Sequence, residues 1–227
     1  MSKKVALVVV AHPDDEVLGC GGMIAKLSKK NVKVNILIIS DGISSRKISK
    51  SELVKEIKNR RAACKKACKV LGAQMPIFYD LPDNQLDSVP LLKIIKIVDD
   101  AILKYKPETV LTHYNDDLNI DHRIVNKAVV TACRPQKNSS VKTLLFFEIP
   151  SSTEWQINRK KIFFAPNWYE DISKTIKFKL KALKVYQSEL RKWPHPRSIK
   201  GIRALAEWRG ATAGYKAAEA FVLGRKK

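Results

Sequence analysis

Three of the four histidines in this sequence fall in two short polar stretches, Ala11-His12-Pro13-Asp14-Asp15-Glu16 and the segment from His113 to His122. His12, Asp15 and His122 together offer two imidazoles and a carboxylate, a set suited to a borderline metal such as zinc with one position left for water. Asp14 would then stand free beside them. A metal that acidifies water and polarises a carbonyl, next to a carboxylate that can take the water's proton, is the equipment of a hydrolase. Spacing alone leaves the exchanged assignment open, with Asp14 as ligand and Asp15 as base. The plainer alternative is helix capping, with an aspartate at the N-cap, Glu16 facing the dipole, and Asp121-His122 opening a second helix in the same way. Three histidines placed together after expected strands favour the metal reading.

The elements that must position these groups are legible from hydrophobic period and punctuation. Val5–Val10 is a continuous apolar, β-branched run, as a strand buried on both faces requires, and a helix follows through Lys30. A second strand at Val32–Ile39 ends at Ser40-Asp41-Gly42, and a helix from about Ser51 to Leu71 is stopped by Gly72. Pro76–Asp80 and Glu108–Thr112 read as further strands, separated by a helix in which Leu91, Leu92, Ile95, Val98 and Ile102 share a face. A helix from the His113–Asp121 loop to Cys133 and a strand at Thr143–Ile149 complete the regular part. The rest is less regular: a strand at Lys161–Ala165, a basic amphipathic helix at Ile172–Leu190, a helix at Ser198–Arg209 and an edge strand at Ala218–Leu223. This order predicts one α/β domain over residues 1–227, with a Rossmann-like, mostly parallel sheet and helices on both faces. In such sheets ligands collect outside the carboxyl ends of the strands, where His12 to Glu16, Asp41, Asp83-Asn84 and His113 to His122 all fall.

The 227 residues carry 43 Lys and Arg against 22 Asp and Glu, a net +21 that favours anionic partners. The bases are scattered in helical stretches, not gathered into an arm, so no dedicated nucleic-acid site is expected. Cys20, Cys64, Cys68 and Cys133 lack both disulfide density and zinc-type spacing and read as reduced thiols. The apolar run after Lys4 is short for a signal sequence and no run is long enough for a transmembrane segment, so the expected location is cytoplasmic. No pattern specifies an oligomeric state.

These residues resemble the PIG-L/LmbE-like zinc-dependent N-deacetylases. The likeness rests on Ala11 to Glu16 after the first strand and Asp121-His122-Arg123 opening the helix after the fourth. It extends through Ser40-Asp41-Gly42, Arg60 to Gly72 and Leu81-Pro82-Asp83-Asn84 to Ala218-Glu219-Ala220-Phe221. The resemblance implies His12, Asp15 and His122 as ligands to Zn2+, with Fe2+ as the alternative, and Asp14 as general base. It further implies substrate contacts from Arg60 and Asp83, with Asn84 beside them, and the removal of an acetyl group from an amino sugar or its anionic conjugate. Asp121 joins the catalytic candidates through the same element.

One departure matters. Many relatives have His-x-x-His where this chain reads Asn119-Ile120-Asp121-His122, so the histidine that assists the oxyanion and the leaving amine is replaced by Asn119. Asparagine can donate a hydrogen bond but cannot act as an acid at neutral pH. His113 is one substitute, with a supporting core role as its alternative. His195, within Trp193-Pro194-His195-Pro196-Arg197-Ser198, is another, beside Trp193 and Arg197 that suit a sugar or phosphate. Two rivals remain: a basic nucleic-acid-binding module without metal, and a metal-bearing sugar binder that does not turn over.

Overall fold

The computed structural model describes residues 4–157 and 163–227. Strands β1 (Val5–Val10), β2 (Lys33–Ser40), β3 (Ile77–Leu81), β4 (Thr109–His113) and β5 (Thr143–Phe147) run parallel, and β6 (Trp168–Asp171) and β7 (Ala218–Lys226) complete the sheet. The order is β3-β2-β1-β4-β5-β7-β6, with β7 antiparallel to both of its neighbours. Helices α1 (Asp15–Lys29), α2 (Lys50–Leu71), α3 (Leu91–Tyr105), α4 (Ile120–Ala132), α5 (Ile176–Leu183) and α6 (Ile199–Thr212) pack around it. Alternate residues of β1 explain why the run is apolar throughout: Ala6, Val8 and Val10 join the core under α1, α2 and α5, while Leu7 and Val9 join the core under α3 and α4. Strand order reverses between β1 and β4, so the loops bearing His12 and His122 meet at the crevice where such sheets bind ligands.

Local signals set the helix ends. Ser49 and Glu52 form a reciprocal capping box at the start of α2, and Gly72 ends it in the left-handed conformation at φ 74°. The first helix is unusual. Its Gly19-Cys20-Gly21-Gly22 stretch breaks helical geometry at Cys20, and Glu219 from β7 accepts the amides of Gly22 and Met23 at 2.8 and 2.7 Å. Lys179 of α5 balances that buried carboxylate at 2.6 Å and donates to the Leu18 carbonyl. The glycines let α1 lie close on the sheet; a Cβ on Gly19 would sit 2.3 Å from the Phe147 ring. Gly19→Ala is therefore expected to destabilise the fold by about 1–3 kcal/mol, read as a lowered melting temperature.

The structure corrects the irregular third. The final strand is not at the edge: β7 lies between β5 and β6. Helix α5 is shorter than Ile172–Leu190 because Thr175 is drawn to the Gly22 carbonyl at one end, while tight turns at Val185 and Tyr186 end it at the other and turn Tyr186 into the core. Strand β6 was not expected; it forms because β7 offers a free edge to its four residues. Of the expected strand at Lys161–Ala165, residues 161 and 162 lie outside the described residues and residues 163–165 are not in a strand. All four cysteines are buried and unpaired, and burial pushes the Cys133 thiol up to about 12. Among the described residues no helix is long and apolar enough to cross a membrane.

Candidate active site

The turn after β1 brings His12, Asp14 and Asp15 to the crevice, and the first turn of α4 brings Asp121 and His122 to meet them. His12, Asp15 and His122 are all buried, and one donor atom from each lies within 4.8 Å of the others. One carboxylate oxygen, Asp15 Oδ2, stands 3.3 Å from His12 Nδ1 and 3.4 Å from His122 Nε2. Its other oxygen, Oδ1, and His122 Nε2 are buried with no hydrogen-bond partner among the described residues. Buried polar atoms are rarely left unsatisfied in a folded protein, so a convergent pair of them fits a cation held between them.

Carboxylates behind the imidazoles complete the fit. His122 Nδ1 is 3.0 Å from Asp117 Oδ1, and Asp117 is itself fixed by Ser152, by Thr153 at 2.6 Å and by the Asn119 amide. His12 Nε2 is 3.0 Å from Asp121 and 3.2 Å from Asp83. Asp121 in turn accepts the amides of Asn84 and Leu86 at 2.7 and 3.0 Å. Each ring thus offers one nitrogen to the shared centre and its other nitrogen to a carboxylate, which fixes ring orientation and raises basicity. Burial works against charge on His122, yet Asp15 and Asp117 overcome it and push the ring up to about 9. A site that stabilises positive charge on its imidazoles in this way is electrostatically ready for a divalent cation.

Asp14 is set apart from this group. It occupies the N-cap position of α1 without capping it, because its backbone stands at φ 126°, a conformation costing a non-glycine residue about 1–3 kcal/mol. Its carboxylate faces Arg197 at 3.3 Å and Arg60 at 3.5 Å, not the helix amides. Burial pushes it up to about 6, while the two guanidiniums pull it down.

The remaining candidates divide by what they are already doing. His113 is fully buried, its Nε2 accepts the Ala11 amide at 2.9 Å, and its ring stacks on His122 with centroids 4.0 Å apart, a supporting position. Asn119 uses its oxygen to cap α4 and its amide nitrogen to bond Asn84 at 2.9 Å. Arg60 is buried and paired with Glu189 at 2.6 Å, and Asp83 is buried between His12 and Ser45. Asn84 is exposed, and Arg197 bonds Ser151 at 2.7 Å as it reaches Asp14. His195 is half-buried; its Nδ1 accepts the Arg197 amide and its ring meets the edge of Trp155. Sequence reasoning missed Asp117, Glu189 and Tyr186. Only Asp117 carried a signal, a carboxylate in the loop before a candidate ligand histidine.

A family profile described as "PIG-L: GlcNAc-PI de-N-acetylase" matches residues 7–133, more than half of the chain. The Escherichia coli (strain K12) protein described as uncharacterized deacetylase YaiS is 28% identical over 192 residues, spanning 82% of this chain and 92% of the relative. Diacetylchitobiose deacetylase of Thermococcus kodakarensis is 26% identical over 228 residues, spanning 95% of this chain and 81% of the relative. Among solved structures, GalB, the 4-carboxy-2-hydroxymuconate hydratase of Pseudomonas putida KT2440, superposes with a TM-score of 0.79 at 20% identity over 99% of this chain and 97% of that one. That last likeness bears on the fold alone.

Proposed function

Because this chain belongs to the PIG-L family, we propose that it hydrolyses the acetamide of an amino sugar or amino-sugar conjugate of the N-acetylglucosamine type, giving acetate and a free amine. The observation that carries the reading is the convergence of His12, Asp15 and His122 with unsatisfied donor atoms, beside an Asp14 that neither joins them nor caps its helix. Those three residues would hold the ion, with zinc the expected metal and iron(II) the alternative. When bound, such an ion supplies Lewis-acid polarisation of the amide carbonyl and lowers the pKa of water.

The chain's own groups do the rest. Asp14 takes the proton from the attacking water, and Arg60 and Arg197 favour its ionised form. Asp14 then carries that proton to the departing nitrogen. Neither Asn119 nor His113 serves the oxyanion well, since the first has spent its amide and the second is buried under His122. His195 takes that part in this reading: with Nδ1 accepting the Arg197 amide, its proton belongs on Nε2, free to donate to the developing charge. Asp83, Asn84 and Arg197 line the approach for sugar hydroxyls, and the +21 charge draws anionic conjugates towards the protein.

The test is metal content of the purified protein together with acetate release from N-acetylglucosamine and its nucleotide-linked form. About one zinc per chain and stoichiometric acetate are expected. Zinc with no acetate from any N-acetyl sugar would overturn the deacetylase reading and leave a different amide or the metal-bearing sugar binder that does not turn over.

A further inference from the structure

Asp14 is an N-cap residue that does not cap, and something must hold it in a backbone conformation that a non-glycine residue does not choose. Its carbonyl starts α1 in the ordinary way, accepting the amides of Val17 and Leu18. The unusual partner is on its own amide, which donates to Glu16 Oε2 at 3.0 Å. Glu16 is fully buried at the start of α1. Its other oxygen accepts the Tyr186 hydroxyl at 2.5 Å and faces the Cys64 thiol at 3.8 Å. Tyr186 comes from the turn after α5, 170 residues along the chain, and is itself buried.

The path is short, with the Cys64 thiol on the same Glu16 oxygen and Arg60 Nε on the Pro13 carbonyl at 3.3 Å as flanking contacts. The Tyr186 hydroxyl fixes the Glu16 carboxylate, the carboxylate fixes the Asp14 amide, and the Asp14 peptide then points its side chain away from the helix amides, towards Arg60 and Arg197. An aspartate at this position in ordinary extended backbone would turn its carboxylate onto its own helix, where an N-cap side chain belongs. We propose that Tyr186 is a positioning residue for Asp14, acting through Glu16 to keep the carboxylate free for the reaction. This rests on Asp14 being the base. It also ties the C-terminal third of the chain, beyond the residues the family profile matches, to the placement of Asp14.

Tyr186→Phe keeps the ring and removes only the hydroxyl. A misplaced base is expected to lower kcat by about 10–100-fold with KM and zinc content unchanged. Adding Tyr186→Phe to Asp14→Asn is expected to cost no further activity, since a positioning group has nothing left to position. A Tyr186→Phe kcat within twofold of wild type, or the same additional loss in the Asp14→Asn background, would overturn the proposal. Should Tyr186→Phe melt far below wild type, Glu16 provides the second reading: Glu16→Ala is expected to lose kcat and Glu16→Gln, whose carbonyl can still accept the Asp14 amide, to recover most of it. Equal loss in both Glu16 variants would also overturn it. Asp14→Asn with undiminished activity is a different failure, removing the base assignment itself.

Discussion

Asp14→Asn is expected to lower kcat for acetate release by about 10²–10⁴-fold, the range a positioned general base contributes, which corresponds to about 3–5 kcal/mol of transition-state stabilisation. KM and zinc content are expected to stay near wild type. The variant is a clean one because asparagine matches aspartate in size and keeps the backbone amide that Glu16 holds, so the turn at φ 126° survives. Its amide oxygen can still face Arg60 and Arg197, which hold the carboxylate now. What disappears is the ability to accept a proton. The same variant separates the two assignments that spacing left open: if Asp14 were a ligand, zinc content would fall along with kcat. The geometry favours Asp15 for that role, since its carboxylate stands between both imidazoles while that of Asp14 is turned to the arginines. A variant that retains zinc and more than a tenth of wild-type kcat would remove Asp14 from the chemistry.

The contrast between Asp14 and Tyr186 shows where sequence reading stops. His12 and Asp15 are three residues apart on one turn, and a strand that reads as buried on both faces places that turn at the carboxyl rim. His122 follows another such strand, so a parallel sheet brings the two together by topology alone. The grouping of His12, Asp15 and His122 was therefore legible in the sequence. Its supporting shell was less so. Asp117 could have been suspected, because a metal-binding imidazole nearly always gives its second nitrogen to a carboxylate, but Asp116 and Asp117 are indistinguishable in sequence. Asp121 looked like a cap or a catalytic group, and its contact with His12 across 109 residues is visible only in three dimensions. Tyr186 and Glu189 sit where the helical pattern of the last third suggests a continuing helix; the tight turns after α5 that swing Tyr186 inward depend on packing against α1 and α2. The edge placement of the last strand failed for a related reason. Chain end and sheet edge coincide often, but β6 forms late in the chain and pairs outside β7.

His122→Ala is expected to abolish activity through loss of the metal, leaving well under one-tenth of a zinc per chain after dialysis and acetate release at background. Three protein ligands fall to two, and the empty space left by the ring does not replace the lost bond. The damage extends to the metal-free protein, which makes the result interpretable. Asp15 keeps His12 and His113 nearby, but Asp117 loses the imidazole that helps hold its carboxyl down to about 2. Both carboxylates stay buried, so the variant is also expected to be less stable than wild type without zinc, by roughly 3–5 kcal/mol if relaxation is small. Asp117→Ala supplies the graded comparison. It leaves all three ligands in place and removes only the group that orients His122, so zinc affinity is expected to fall about 10–100-fold while activity returns at saturating zinc. His122→Ala should not return at any zinc concentration. If excess zinc restored the His122 variant as fully as the Asp117 variant, His122 would belong to the supporting shell, and the centre would have to be rebuilt around the other group of buried donors that shares His12, namely His12, Asp83 and Asp121.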